Sequence, residues 1–290
     1  MRRLIPVLFL LLFLFSTGSA DSFTAFDMDI DRDQTVLDFG KQNITDFDEL
    51  IRVLSSMPNL TEVSMYGTKM EEDRMEQLTQ MFPSIHFGWT MRVAKYRVRT
   101  DVTAFSTLRQ PDEKPRYNAA KYAPLRFCWQ IKGLDLGHNS IEDLSFLTTM
   151  TGLHYLILAD NKITDLTPLE PLQELEYVEL FMNDITDITP LTKLPRLIDL
   201  NLSRTRIEDL TPLYEMKQLK RLWISRVGKG ILEEEKAALQ AALPETEIHF
   251  TANCTAEGWR KHERFQKVKN SFRLNLGQVF IPWTDEDRAL

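Results

Sequence analysis

Residues 153–169 read LHYLILADNKITDLTPL, and the same pattern returns as LEYVELFMNDITDITPL at 175–191 and as LIDLNLSRTRIEDLTPL at 197–213. Asn139, Asn161 and Asn183 are therefore spaced 22 residues apart, and Thr205 occupies the next step of the same period. A fixed period of this length over four consecutive units is typical of proteins built from stacked structural repeats. The pattern predicts a solenoid whose regular part covers residues 131–228.

Each repeat contains an alternating apolar pair, such as Leu156 and Leu158, which predicts a short strand with both side chains pointing inward. One repeat cannot bury that face alone, so the core forms only when neighbours stack. The asparagines follow the strands, where their amides can pair with buried backbone groups. Thr205 breaks this series, so we expect the amide ladder to weaken there. Dipeptides such as Thr167-Pro168 predict a capping Thr followed by Pro at the first helical position.

The 22-residue period with the motif I-x-D-L-T-P-L closely resembles the internalin-type leucine-rich repeats of secreted Gram-positive bacterial proteins, between about Leu134 and Leu213. More loosely, the chain resembles leucine-rich-repeat proteins of gut Firmicutes. The resemblance implies the α/β fold class. The expected architecture is a right-handed horseshoe-shaped solenoid with a concave parallel sheet, short 3₁₀ or α segments on its convex side, and a role in protein recognition.

The first twenty residues predict export. Arg2 and Arg3 precede an apolar run from Leu4 to Phe15, and small residues lead to a predicted cleavage point after Ala20. The run is shorter than the roughly 20 residues of a membrane-spanning helix. This favours a cleaved signal peptide and a secreted or cell-surface protein, with an uncleaved membrane anchor as the alternative.

The remaining chain divides by pattern into four parts. Residues 21–108 predict irregular, helix-backed repeats with a β-hairpin inserted at Trp89–Thr100, where apolar and basic residues alternate. Residues 109–130 predict a connecting loop and the entry to the regular repeats at 131–228. Residues 229–290 predict a C-terminal cap, whose helix at Trp259–Arg273 places Phe265, Val268 and Phe272 on one face.

Catalytic chemistry is not indicated. Zinc-protease, nucleophile-elbow and phosphate-loop motifs are missing, and the net charge of −7 argues against nucleic-acid binding. We therefore predict a non-enzyme without cofactor or metal. Alternating aspartates at 27–33 resemble the start of a calcium loop, but Arg32 and Asp38 replace its required Gly and Glu. Asp135, His138 and Ser140 offer a weak hydrolytic trio without oxyanion donors.

The two cysteines, Cys128 and Cys254, are expected to remain unpaired thiols. About five strand spacings of roughly 4.8 Å separate them in the predicted solenoid. A disulfide requires Cα atoms within about 7 Å.

The outward residues of the predicted strands suggest a binding face. Several are aromatic although a strand face exposed to water favours polar residues, and such a patch with a charged rim is typical of protein-binding surfaces. The predicted partner is a protein or glycan on a cell surface, bound by a monomer. The predicted site consists of Tyr155, Ile157, Tyr177, Glu179, Phe181, Met182, Asp199, Asn201, Arg204, Arg221, Trp223 and Arg226.

Two alternatives remain open. The termini of the chain could themselves cover part of this patch, which would then not be a binding site. The basic residues between Arg260 and Arg273 could instead anchor the protein to an anionic wall polymer, giving a structural role at the cell wall.

Overall fold

The structure is a computed structural model that describes residues 21–251, 259–273 and 278–290. The predicted signal peptide and Cys254 lie outside these residues. Strands β1 (Ser22–Ala25) and β2 (Met28–Asp31) form an antiparallel hairpin at the start of the described chain. A parallel three-stranded sheet follows, formed by β3 (Val36–Asp38), β4 (Glu62–Ser64) and β5 (His86–Gly88). Helices α1 (Phe47–Ser55) and α2 (Glu72–Met81) connect its strands.

A second hairpin interrupts the repeats. Strands β6 (Thr90–Val93) and β7 (Tyr96–Arg99) pair antiparallel, as the alternation over residues 89–100 predicts. Apolar residues of this hairpin, such as Met91, Val93 and Val98, are buried, so it packs on the solenoid through one face.

The main sheet is parallel and has seven three-residue strands in sequence order. It consists of β8 (Ala104–Ser106), β9 (Gly133–Asp135), β10 (Tyr155–Ile157), β11 (Tyr177–Glu179), β12 (Asp199–Asn201), β13 (Arg221–Trp223) and β14 (Glu247–His249). Helix α3 (Glu233–Ala242) connects the last two strands, and 3₁₀ turns connect most of the others. Residues 22 apart are in register from β9 to β13, so equivalent side chains form columns across the sheet.

The core follows the repeat. Leu156 and Leu158 are fully buried, as are their equivalents in neighbouring rungs. Asn183 donates to the carbonyls of Leu158 and Leu180, and its amide oxygen accepts from the Ile163 N–H at 3.0 Å. Thr205 makes only one such side-chain bond, to Leu202 at 2.7 Å. The predicted weakening of the ladder at residue 205 is confirmed.

The convex turns correct one prediction. Thr167 is the first residue of its 3₁₀ turn and makes no side-chain cap, so Pro168 is the second residue. Asp165 has the capping role, because its carboxylate accepts from the Thr167 N–H at 2.9 Å. Equivalent bonds are made by Asp143, Asp187 and Asp209. These four aspartates, one in each rung, therefore have a structural role in the turns.

The C-terminal part of the chain lies on the concave side of the main sheet. A 3₁₀ turn (Trp259–Lys261), helix α4 (Glu263–Ser271) and helix α5 (Asp285–Ala289) belong to this region. We call residues 259–273 and 278–290 the C-terminal cover. Its aromatic and aliphatic side chains form a second buried cluster with side chains of strands β8 to β13, separate from the core inside the solenoid.

A buried concave face and an open rim

Most of the predicted binding residues are buried, so the expected exposed patch is wrong as a description of this structure. The C-terminal cover lies on them, which is the alternative that the sequence left open. Met182, Arg204 and Arg226 remain exposed, and Ile157 is half-buried. The buried members are Tyr155, Tyr177, Glu179, Phe181, Asp199, Asn201, Arg221 and Trp223.

Aromatic packing forms the centre of the contact. The ring centroid of Trp259 lies 5.1 Å from that of Tyr177 and 4.8 Å from that of Trp223, and the two tryptophan rings are nearly perpendicular. Trp283 packs against Tyr155 at 5.1 Å. Both tryptophans are buried. Large aromatic side chains at these concave positions are thus explained by packing within the chain.

A small residue makes room for the cover. A Cβ atom on Gly133 would lie 3.3 Å from the ring of Phe272, tighter than ordinary van der Waals contact. The absent side chain at the first position of β9 therefore lets the end of helix α4 approach the sheet.

Buried ion pairs fix the orientation of the cover. Arg264 of α4 donates to Asp199 of β12 at 2.7 and 3.1 Å, and Arg221 of β13 donates to the same carboxylate at 2.6 Å. All three side chains are at most 2% exposed. Bidentate pairing of this kind restricts geometry as well as supplying energy, so α4 is held in one register on the sheet.

A second set of contacts holds the end of the chain. Arg288 donates to both carboxylate oxygens of Glu176, at 3.0 and 3.2 Å. Burial acts to raise the pKa of Glu176, but the nearby His154 and the hydrogen bonds from Arg288 outweigh it and leave that pKa below its usual value. The Tyr155 hydroxyl donates to the Ile281 carbonyl at 3.0 Å. The last described residues are therefore part of the packed structure.

Glu179 is an acid in an apolar setting. Burial raises its pKa above the ordinary range, while Arg260 and the Tyr177 hydroxyl act in the opposite direction. Tyr177 donates to it at 3.1 Å and the Trp259 indole at 3.3 Å. Both donors are neutral, and in the described part of the chain Glu179 forms no ion pair comparable to those that Asp199 makes with its two arginines.

The exposed members of the predicted site form what we call the open rim: Met182, Arg204 and Arg226. Each directly follows the strand region of its rung and has a left-handed backbone, with φ of 56°. The Arg204 guanidinium lies 5.4 Å from the centroid of the Phe181 ring, and its Nη1 lies 3.8 Å from the Met182 sulfur. Met182 is 37% exposed. The rim therefore presents a methionine and two cations, of which Arg204 lies over the buried ring of Phe181.

At the N-terminal end of the regular rungs, the positions equivalent to the open rim are covered by residues of the connecting loop. Arg116 donates to both carboxylate oxygens of Asp160, and His138 Nδ1 lies 2.9 Å from that carboxylate. Asp135 accepts instead from the Ser106 hydroxyl at 2.7 Å. The weak trio of Asp135, His138 and Ser140 is thus not assembled, because its acid and its histidine pair with other residues.

The basic C-terminal helix has two different sides. Its predicted apolar face is confirmed, because Phe265, Val268 and Phe272 are buried against the sheet. Arg264 and Lys267 are engaged by Asp199 and Asp287. The cations that remain exposed are Arg260, Lys261, Lys269 and Arg273.

Three further observations concern the free thiol, metal ligands and membrane-spanning helices. Cys128 is a buried free thiol whose pKa is raised by burial. Within the described ranges, no three His, Cys, Asp or Glu side chains come together in a way that could hold a metal ion. No helix among the described residues has the length and apolar character needed to cross a membrane.

Comparison with known proteins identifies the repeats. Residues 129–171 and 173–215 each match the family described as leucine rich repeats (2 copies). Together with the parallel sheet of short rungs and the 3₁₀ turns, this match shows that they are leucine-rich repeats. The seven-stranded parallel sheet and its 3₁₀ turns confirm the predicted α/β leucine-rich-repeat solenoid, whose 22-residue period resembles that of internalin-type repeats.

Solved structures show similar chains at low identity. Internalin C2 of Listeria monocytogenes is 22% identical, with 66% of this chain and 80% of that chain covered and a TM-score of 0.39. A second internalin of that organism is 19% identical, covering 62% and 55%, with a TM-score of 0.39. A leucine-rich-repeat protein of Leptospira interrogans is 22% identical, covering 69% and 51%, with a TM-score of 0.43. This chain thus spans about half the length of the last two. No curated protein sequence matches it.

Proposed function

We propose that this chain is an exported, monomeric recognition protein without catalytic activity, which binds a protein partner through the open rim. The observation that carries the proposal is the exposed cluster of Met182 and Arg204 above the Phe181 ring. Repeat solenoids of this kind offer extended surfaces for recognition. The export part rests on the signal-peptide pattern of residues 1–20.

The composition of the rim fits a protein interface. Arginine, methionine and aromatic residues are enriched in the centres of such interfaces, and arginine often contributes much of the binding energy. The rung fixes the left-handed backbone of Met182, Arg204 and Arg226, so little backbone freedom is lost on binding. In the described part of the chain, neither arginine forms an ion pair within 4.0 Å. An acidic patch on the partner would supply the missing counter-charges.

The burial of the concave aromatic rings favours a protein over a glycan as the binding partner. Sugars bind to open aromatic faces, and the rings that offered such faces, Tyr177 and Trp223, are covered by Trp259. The exposed rim presents cations and a thioether instead.

The test uses purified residues 21–290 on intact epithelial and bacterial cells. In the rim variant, Arg204→Glu is combined with Arg226→Glu. The matched control combines Lys193→Glu with Lys229→Glu, which makes the same charge change at exposed positions outside the rim. The proposal predicts saturable binding that falls at least about tenfold in the rim variant, a loss of roughly 1.4 kcal/mol, with the control unchanged. Equal binding by all three proteins would overturn it.

The second candidate, anchoring to an anionic polymer, is supported by the four exposed cations between Arg260 and Arg273. It predicts binding that disappears with added salt and with Lys261→Glu/Lys269→Glu. That result, with the rim variant behaving as wild type, would assign the function to anchoring.

A further inference from the structure

We infer that the C-terminal end of the covered sheet binds an oxyanion, a carboxylate or a phosphate, between the side chains of Arg221 and Trp223. This inference does not depend on the open rim, since both residues belong to strand β13 and lie beneath the C-terminal cover. Three independent observations support it: a surplus of buried positive charge, two buried donors without partners, and the groups that surround them.

The surplus of charge comes from the Asp199 cluster. Its carboxylate lies between the guanidinium groups of Arg221 and Arg264, and all three side chains are at most 2% exposed. Among the described residues, two cations and one anion leave one positive charge without a buried counter-ion. A buried charge is costly unless it is paired, so the site is electrostatically incomplete.

The hydrogen bonds of the two arginines show where an additional anion would bind. Arg264 uses Nε and Nη2 on Asp199 and Nη1 on the Asp287 carbonyl. Arg221 uses Nε and Nη2 on Asp199, but its Nη1 is buried without a hydrogen-bond partner. The indole Nε1 of Trp223, two residues along the strand, is also buried and unpartnered. Buried donors in proteins are rarely left unpaired, and a bound ion is one reason for an apparent exception.

The two donors belong to one local cluster. The guanidinium carbon of Arg221 lies 5.0 Å from the centroid of the Trp223 ring. The two residues are two positions apart in β13, so both side chains lie on the concave side of the sheet. An oxyanion offers several acceptor oxygens, so it can accept from a guanidinium and an indole N–H together. A neutral amide or a hydroxyl would pair with the donors but would not supply the negative charge.

The neighbouring titratable groups do not provide the counter-charge. His262 is half-buried, and its pKa is lowered by burial first and then by the charges of Arg221 and Arg264. His249 stacks on Trp223 with ring centroids 3.8 Å apart and pairs with Glu247 at 2.8 Å. Glu247 thus has its own partner, and its side chain is 57% exposed. The positive end of helix α4, which begins beside His262, also favours an anion.

The test follows the indole N–H signals of the ¹⁵N-labelled chain by NMR. The sequence has five tryptophans, and the variant Trp223→Phe, which keeps an aromatic ring in place, identifies the Trp223 signal. Sodium phosphate, sodium acetate and sodium chloride are titrated at equal ionic strength. The inference predicts a saturable shift of the Trp223 signal with phosphate, acetate or both, and none with chloride.

The phosphate and acetate titrations distinguish the two kinds of oxyanion that the site could bind. A shift with phosphate alone indicates a free phosphate site, whereas a shift with acetate indicates a site for a carboxylate, such as an acidic group of a partner. The variant Arg221→Lys keeps a cation opposite Asp199 but lacks Nη1, and should weaken the affinity at least tenfold. Identical titrations with all three salts would overturn the inference. So would a shift that Arg221→Lys leaves unchanged, with the other indole signals confirming that this variant is folded.

Discussion

Arg264 and Asp199 are 65 residues apart in sequence, yet they meet in a fully buried pair with N–O distances of 2.7 and 3.1 Å. This contact joins helix α4 to the fourth of the regular 22-residue rungs. It converts the concave face of the sheet from a surface into an interior. The proposed recognition therefore uses the surfaces that the C-terminal cover leaves open, of which the rim around Arg204 has the composition of an interface.

The Asp199 cluster predicts an asymmetry between its members. Asp199→Asn leaves the buried cations Arg221 and Arg264 facing each other without a counter-charge, so we expect it to cost about 3–5 kcal/mol of unfolding free energy. Arg264→Met leaves a neutral Asp199–Arg221 pair and fills a similar volume, so its cost should be about 1 kcal/mol or less. Urea denaturation of the two variants measures both values. Equal losses would show that charge balance does not control this cluster.

Deletion of residues 259–290 tests the size of the apolar contact. Tyr155, Tyr177 and Trp223 would become exposed, and burial of a large apolar side chain contributes roughly 1.5–3 kcal/mol. We expect the deletion to lower the unfolding free energy by about 5 kcal/mol or more and to increase binding of a hydrophobic dye. Deletion of residues 285–290 alone is the control, because it removes the Arg288–Glu176 pair but leaves Trp259 and Trp283 in place. Equal stability of the longer deletion and the intact chain would mean that the aromatic contact contributes nothing.

The buried Glu179 predicts a pH dependence. Since burial raises its folded pKa above the unfolded value, the folded state holds this proton more tightly. Stability then decreases as the pH rises from the unfolded pKa of about 4.3 through the folded pKa. Glu179→Gln cannot ionise at this position. Its unfolding free energy, relative to that of the wild type, should therefore increase as the pH rises over this range. Denaturation curves at several pH values measure the difference, and a constant difference across them would contradict the assignment.

The asparagine ladder predicts a graded cost along the solenoid. Asn183→Ala leaves the Ile163 N–H and the Leu180 carbonyl without their side-chain partner, whereas the Leu158 carbonyl still accepts from Asn161 at 3.0 Å. Each unpaired buried group costs about 1–3 kcal/mol, so we expect the two groups together to cost at least about 2 kcal/mol. Thr205→Ala removes one bond, to Leu202, and should cost about 1 kcal/mol. Thermal unfolding of both variants gives the ratio, and similar losses would argue against the ladder.

The regular rungs could be predicted from sequence because their cause is local. Leu156, Leu158 and Asn161 recur at a period that only stacking explains, and the register of the sheet reproduces that period. The role of Asp165 was also predictable, since an aspartate two residues before a turn pairs with its backbone.

The occupant of the concave face could not be predicted in the same way. Tyr177 and Trp223 indicate that something covers the strands, but their chemistry suits a foreign protein as well as Trp259. The apolar face of α4 was visible in the sequence, whereas its docking position depends on a long-range pairing of Arg264 with Asp199. No local pattern encodes that choice.

Hydrogen exchange of the free chain is the most direct test of the covered face. If the C-terminal cover is part of the folded unit, the amides of α4 (Glu263–Ser271) should exchange as slowly as those of strands β11 and β12, because they open together with the sheet. Fast exchange in α4 with continued protection in β11 and β12 would contradict this account. It would show the concave face to be open and would restore Tyr177 and Trp223 as binding residues.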